Sequence, residues 1–345
     1  MPLRLKVVLF FALLLLGPKA NATIWTVNNM PNSAAQFETI QAAIDNAFSG
    51  DTIQIHGSEQ RYAQVLINKR LVLIGPGHNI NGSNPQNGLS RSYASIEGIR
   101  FSADGNGSRS VLEGLVIAVI VTEKTNRVTI SRCHVSFGIT AERLPSEDWA
   151  VKNSVILNIS GNVSSSSPTA PGWTIRNNII YGQVGGLTLA RILNNTFLGG
   201  GGPVRVYNSA VENNIFLAIT QNGSQNSSFA NNLTFHGGLE DIVTETNSGS
   251  NNFNQVDPEF VNAPGYRLPE GYGGFNYNHN YRLQEDSPGK NAGTDGTDIG
   301  AYGGDGHSDT GTPPMPVVTR FALKNSVLKP GGTLRIFVSG EAQND

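Results

Sequence analysis

Ile175-Arg176-Asn177-Asn178-Ile179, Ile192-Leu193-Asn194-Asn195-Thr196-Phe197 and Val211-Glu212-Asn213-Asn214-Ile215-Phe216 repeat one phrase. An apolar residue and one spacer precede a pair of asparagines, and an apolar residue follows within two positions. Asn231-Asn232 supplies a fourth pair, and the second members Asn178, Asn195, Asn214 and Asn232 stand 17, 19 and 18 residues apart. Self-similarity at a fixed period marks stacked units that bury their apolar faces on one another. About 18 residues are too few for a helical hairpin and suit three short strands joined by turns. Asparagine tolerates the left-handed conformation of a sharp bend. Identical amides on adjacent levels can hydrogen-bond along the stack. The pattern predicts an all-β parallel solenoid of three sheets and about ten rungs.

Working outward, Gly98, Gly114, Cys133 and Ser154 occupy the matching place in degenerate copies of the phrase over residues 94–160. With Asn178, Asn195, Asn214 and Asn232 they form one expected turn column of small or turn-tolerant residues. Cys133 reads there as a buried filler, and as the single cysteine of the chain it has no disulfide partner. Ser164–Ser167, Pro168 and Pro171 suggest a loop extruded between rungs. The alternation of Thr52-Ile53-Gln54-Ile55 predicts a strand. Just before it, Phe37, Ile40, Ile44, Ala47 and Phe48 lie at helical spacing and end at Ser49-Gly50.

The stretch from Thr39-Ile40-Gln41-Ala42-Ala43-Ile44 through Gly50-Asp51-Thr52-Ile53 to Leu71-Val72-Leu73-Ile74-Gly75 resembles the opening of right-handed parallel β-helix proteins of the pectin-lyase-like superfamily. That resemblance implies an N-terminal capping helix, which shields apolar core and unpaired strand edges at the open end. Asp257-Pro258-Glu259-Phe260, Tyr281-Arg282-Leu283, Ser287-Pro288, Asn291-Ala292-Gly293 and Asp298-Ile299-Gly300-Ala301-Tyr302 resemble, as an ordered series, the C-terminal segment of choice-of-anchor Q bacterial surface proteins. The organisation expected is a signal peptide over 1–22, a capped solenoid over 23–255 and a lid on its far end over 256–309. A linker with a partial module or sorting tail follows over 310–345.

Arg4 and Lys6 precede the apolar run Val7–Leu16, and Ala20-Asn21-Ala22 supplies a small-residue cleavage pattern. The run is too short to span a bilayer, so export to the medium or cell surface is expected rather than a transmembrane anchor. Glycine contributes 40 of 345 residues and charged residues only 14%, a balance that suits many turns and short strands. A net charge of -2 without a basic stripe argues against nucleic acid as a partner. A monomer is expected, since each solenoid closes its own core.

The superfamily resemblance places ligands along one outer sheet, for which the strand preceding the asparagine phrase is the counterpart. Alternation points Ile139, Leu187, Leu189, Val204 and Val206 inward. Thr140, Glu142, Thr188, Arg205 and Tyr207 then face outward, with Arg191 at the end of its strand. Hydroxyl, aromatic and arginine groups suit sugar hydroxyls and uronate carboxylates. Polysaccharide or a surface glycan is thus the expected partner, with Thr140, Thr188, Arg191, Arg205 and Tyr207 as contacts and no chemistry performed. The alternative is a uronate-directed polysaccharide lyase, or a glycoside hydrolase, with Glu142, Arg205 and Tyr207 as catalytic groups. Outward polar residues are also what any solvated sheet face carries. The acidic turns holding Asp295, Asp298, Asp305 and Asp309 are candidates for a structural Ca2+, although Asp-Gly turns commonly form without metal. The six histidines show no metal-ligand spacing.

Overall fold

The computed structural model describes residues 22–79, 92–142, 145–161, 170–200, 202–244, 246–266, 274–315, 317–323 and 331–341. Residues 1–21 of the expected signal peptide and the serine-rich stretch 162–169 lie outside the described residues.

Eleven strands stack in one parallel sheet, face A, from Ile24–Val27 and Thr52–Ile55 through Ala150–Lys152, Thr174–Arg176 and Arg191–Leu193 to Ser248–Ser250. The register carries one apolar position from rung to rung. Ile53, Leu73, Leu112, Ile130, Val151, Ile175, Ile192, Val211 and Phe229 all lie in it and are fully buried. A second parallel sheet of twelve strands forks. His134–Ala141 pairs with Val155–Ile156 through its first half and with Ile159–Ser160 through its second. The fork separates face B, which continues to Leu233–His236, from face C, which continues to Val184–Thr188 and Val204–Tyr207. The fold is therefore a parallel β-helix with three faces, as the repeat implies. Like side chains stack across rungs inside it. The rings of Trp149 and Trp173 lie 5.0 Å apart and nearly parallel, and those of Phe197 and Phe216 lie 4.6 Å apart.

The capping helix is shorter than its spacing suggested. It spans Ile40–Asn46, begins where Thr39 Oγ1 accepts from Ala42 N (3.2 Å), and packs Ile40, Ala43 and Ile44 into the core. Phe37 instead bridges Val27 in extended conformation, and Phe48 is exposed. Lys69 Nζ donates to the carbonyls of Ile44 and Ala47 (both 2.9 Å), satisfying groups at the helix end. Asp51 ties the first rung together by accepting from Thr23 N, Trp25 Nε1 and Phe48 N. Burial alone would raise this carboxyl; these donors hold it below its ordinary value.

The two members of each asparagine pair have different tasks, and the bend belongs to the first. Asn153, Asn177, Asn194, Asn213 and Asn231 all have φ between 51° and 59°, and Gly114 (φ 65°) and Arg132 (φ 53°) continue that column. The expected turn column is thus displaced by one residue, because at this corner the left-handed residue is the one right after the face A strand and not the next. Gly114 belongs to the bend, where an added Cβ would also meet Pro313 Cγ at 2.6 Å. Gly98 is in neither column; it sits inside the strand Ser95–Phe101 opposite Val119.

Cys133, Ser154, Asn178, Asn195, Asn214 and Asn232 follow the bend and are fully buried. Their asparagines form a ladder. Asn178 Nδ2 donates to Asn195 Oδ1, Asn195 Nδ2 to Asn214 Oδ1 and Asn214 Nδ2 to Asn232 Oδ1, each at 3.0 Å. Each Oδ1 also accepts the backbone N–H of the preceding rung's member, as Asn214 Oδ1 does from Asn195 N (2.9 Å). Ser154 Oγ serves Cys133 N in the same way, and burial pushes the Cys133 thiol up to about 12, which keeps it an inert filler.

The outward asparagines hold the C-terminal segment. Asn231 Nδ2 donates to Ala292 O, Asn213 Nδ2 to Thr294 Oγ1, and Asn177 Nδ2 to Ala301 O and Gly303 O. Farther along, Thr310 O accepts from His78 N and Asn79 N. The chain from 291 to 313 thus runs back along the flank of the stack, against the order of the rungs. Residues expected to close the far end instead form an arm on the side. The antiparallel pair Phe260–Asn262 with Asn280–Leu283 joins Ile179, Leu198, Ile215, Leu217 and Leu233 in a second apolar cluster. Thr310 to Pro313, expected as linker, belong to this arm, and beyond them Val317–Leu323 and Ile336–Glu341 form a two-stranded antiparallel ribbon.

Two substitutions separate the two tasks. Asn195→Leu leaves the buried Asn178 N and Nδ2 without their acceptor and should destabilise the fold by about 3 kcal/mol, at ~1–3 kcal/mol for each orphaned group. Asn194→Gly keeps the left-handed bend and loses only a long 3.4 Å bond to Asp298 O, so it should cost less than about 1 kcal/mol. Denaturant melts of both variants check the contrast.

Candidate functional site

Face C presents a strip set by strand alternation. Ile139, Ile159, Val184, Leu187, Val204 and Val206 point into the core, so the residues between them face out. In register the outward column reads Arg100, Val121, Thr140, Ser160, Gly185 and Arg205. At one end Arg100 reaches past Val121 to Glu142, with Nη1–Oε2 at 3.2 Å and Nη2–Oε1 at 3.5 Å. At the other, Arg205 Nε donates to Tyr207 Oη at 3.1 Å. Between them the floor is low. Ser160 is exposed, and a Cβ placed on Gly185 would meet nothing within 4 Å.

The expected site residues are only partly assembled. Thr140 and Arg205 share one column, three strand spacings apart, or about 14 Å. Glu142, next to that column, is engaged by Arg100 and stands as far from the Arg205–Tyr207 pair, so the three proposed catalytic groups do not converge. Thr188 was expected to face out into the site, yet it is only 8% exposed, covered where Pro171 and Gly172 pair with it. A bulge between Gly185 and Leu187, with Gly186 at φ 72°, shifts the strand's end. Leu189, expected inside, lies two residues before the next face A strand, where Arg127, Asp148, Asn208 and Asn226 also turn left-handed, and it is 63% exposed. Arg191 begins the next face A strand and so lies around the corner from Tyr207.

Arg100 and the small floor residues Ser160 and Gly185 were missed by sequence reasoning. Ser95–Phe101 runs through two faces without a turn signal, so only the register reveals which half borders the strip.

The acidic turns do not form a shared cation cage. Asp295 Oδ1 accepts from Thr297 N and Oγ1, while Asp298 holds Lys290 Nζ and Asn291 N. Asp305 pairs with Arg176, and Asp309 with Arg282 and Tyr302 Oη. Among the described residues no group of three His, Cys, Asp or Glu side chains is placed to hold a metal ion. No helix among them is long and apolar enough to cross a membrane.

A separate polar cluster lies under the arm. Tyr277 Oη stands 3.1 Å from His78 Nδ1 and 2.7 Å from His134 Nδ1, while His307 Nδ1 donates to Asn177 O at 2.9 Å. Burial lowers all three imidazoles, His134 to about 4, and the nearby His307 and His134 lower His78 further. Each is a neutral histidine joining the arm to the solenoid.

No family model matches the chain, and no curated protein matches it. Among solved structures, the crystal structure of pectate lyase Pel9A matches at 14% identity, with a TM-score of 0.28 over 84% of this chain and 97% of that one. The architecture rests on the strand pairing described above and not on that likeness.

The buried histidines set a pH dependence. A base whose folded value lies below its unfolded value, about 6.5 for histidine, binds more protons when unfolded, so stability falls as pH drops through that window. For His134 the loss should run from about pH 6.5 to about 4 and then level off. Thermal melts across this range should show the decline. His134→Gln, which retains a polar contact for Tyr277 but does not titrate, should make the slope shallower.

Proposed function

We propose that face C binds polysaccharide without transforming it. The supporting observation is the low strip Thr140–Ser160–Gly185 between the Arg100–Glu142 pair and the Arg205–Tyr207 pair. An extended glycan lying along the stack would pass over small side chains at successive rungs, whose ~4.8 Å spacing is set by the sheet. Tyr207 offers an aromatic surface to a sugar ring, and Arg205 offers a planar donor to hydroxyl or carboxylate oxygens. An exported, cell-surface or extracellular protein acting as a monomer fits this reading.

A lyase or hydrolase needs an acid or base beside the reacting carbon. Glu142, the carboxylate proposed for that task, accepts from Arg100 and lies about three strands from Arg205, which favours binding over chemistry at this strip. The surface resemblance read from 256–304 accords with a glycan-facing role; its arm leaves face C uncovered among the contacts described.

The mature protein should retain acidic polysaccharides in affinity electrophoresis, and Arg205→Ala with Tyr207→Ala should weaken that retention at least tenfold, about 1.4 kcal/mol. The same incubations, with and without calcium, should yield no unsaturated product by ultraviolet absorbance and no new reducing ends. Product formation lost on Glu142→Gln would replace the binding reading with the catalytic one.

A further inference from the structure

The outward asparagine column carries one buried side-chain oxygen with no partner. Asn177, Asn194, Asn213 and Asn231 each donate to the returning arm, but at Asn153, one rung earlier, the side-chain Oδ1 is buried and has no hydrogen-bond partner. There the arm stands off from the solenoid and leaves a cleft of about 600 Å³. Arg132, Lys152, Asn153 and Arg176 line it from the solenoid, and Ser308 and Thr312 from the arm.

Its charges do not cancel. Arg132 Nη1 meets Glu113 Oε1 at 2.8 Å, and Arg176 pairs with Asp305. Lys152 lies between them in the face A register and makes no ion pair among the described residues, while the one carboxylate lining the cleft, Asp305, is engaged by Arg176. Lys152 offers a cation without an ion-pair partner and Asn153 Oδ1 a buried acceptor without a donor, and one ligand bearing both a negative oxygen and a hydroxyl answers both. We propose that this cleft takes an oxyanion that also carries a hydroxyl, such as a uronate or a hydrogen phosphate, with its negative oxygen against Lys152. The Asn153 Oδ1 accepts from that hydroxyl. The Ser308 and Thr312 hydroxyls complete the donor set. The site lies beside the arm and is separate from face C, so it does not depend on the glycan reading given above.

The oxyanion has two sources, a free inorganic anion or a group carried on an acidic glycan. Isothermal titration of the full chain with inorganic phosphate, inorganic sulfate, a uronate oligosaccharide and a neutral oligosaccharide distinguishes them. At least one anionic probe should bind. Lys152→Gln should weaken it about tenfold or more, the effect of losing a charge-assisted hydrogen bond, while Lys152→Arg retains it. Asn153→Gly, which keeps the left-handed bend, should weaken binding several-fold with an unchanged melting temperature. Arg205→Ala should leave this binding untouched, so failure of the face C reading and failure of this one are separable. No binding of any anion at millimolar concentration, or binding that Lys152→Gln does not alter, overturns the proposal.

Discussion

Stacking parallel rungs in register forces every bend to present its backbone polar groups at the same buried place. Each of those groups must find a partner inside the stack, since an orphaned one costs about 1–3 kcal/mol. The asparagine ladder is the solution. One side chain accepts twice from the preceding rung, while its own Nδ2 donates to the next ladder oxygen and to a carbonyl of the rung before, as Asn195 does with Asn214 Oδ1 and Ile175 O. Because each amide depends on the one beside it, a slip of register by one residue would strand the whole series. The ladder therefore specifies the register that the apolar column of Ile175, Ile192 and Val211 alone would leave to burial.

The same bend produces a second, outward column, and this explains why asparagines come in pairs. The first member accepts the left-handed conformation at low cost and turns its amide outward from the solenoid. Those amides dock the C-terminal arm, whose carbonyls would otherwise lie unpaired against the solenoid. This polar fastening is joined by an apolar one, since Ile299 and Ala301 of the arm are buried in the cluster with Ile179, Leu198 and Ile215. It also makes the arm sensitive to the charge state of what lies beneath it. His78, His134 and His307 sit in that interface as neutral rings.

Faces B and C diverge because the strand His134–Ala141 pairs with two shorter strands that part company at the corner. From that rung face C carries the small outward residues Ser160 and Gly185 before it reaches Arg205, with a bulge between Gly185 and Leu187. The low strip over Ser160 and Gly185 is a product of that geometry. Arg205 and Tyr207 border it because they lie two residues apart on one strand and so share a face.

The repeat, the all-β parallel stack, the burial of Cys133 and the inward set Ile139, Leu187, Val204 and Val206 are legible in the residues alone. These follow from local periodicity, which a solenoid converts directly into structure because each rung contacts mainly its neighbours. Arg205 and Tyr207 were legible for the same reason. Which asparagine makes the bend emerges from the folded backbone, since adjacent identical residues carry no signal of phase. The fold also decides that Thr188 is covered, that Leu189 is exposed and that Glu142 answers to Arg100 and not to Arg205. A bridge to Pro171, a left-handed corner before the face A strand and the rung register set those side chains, and composition does not record them. The arm's path was least legible of all. Its fastening depends on contacts between residues more than a hundred positions apart, such as Asn177 with Ala301, and no local pattern records them.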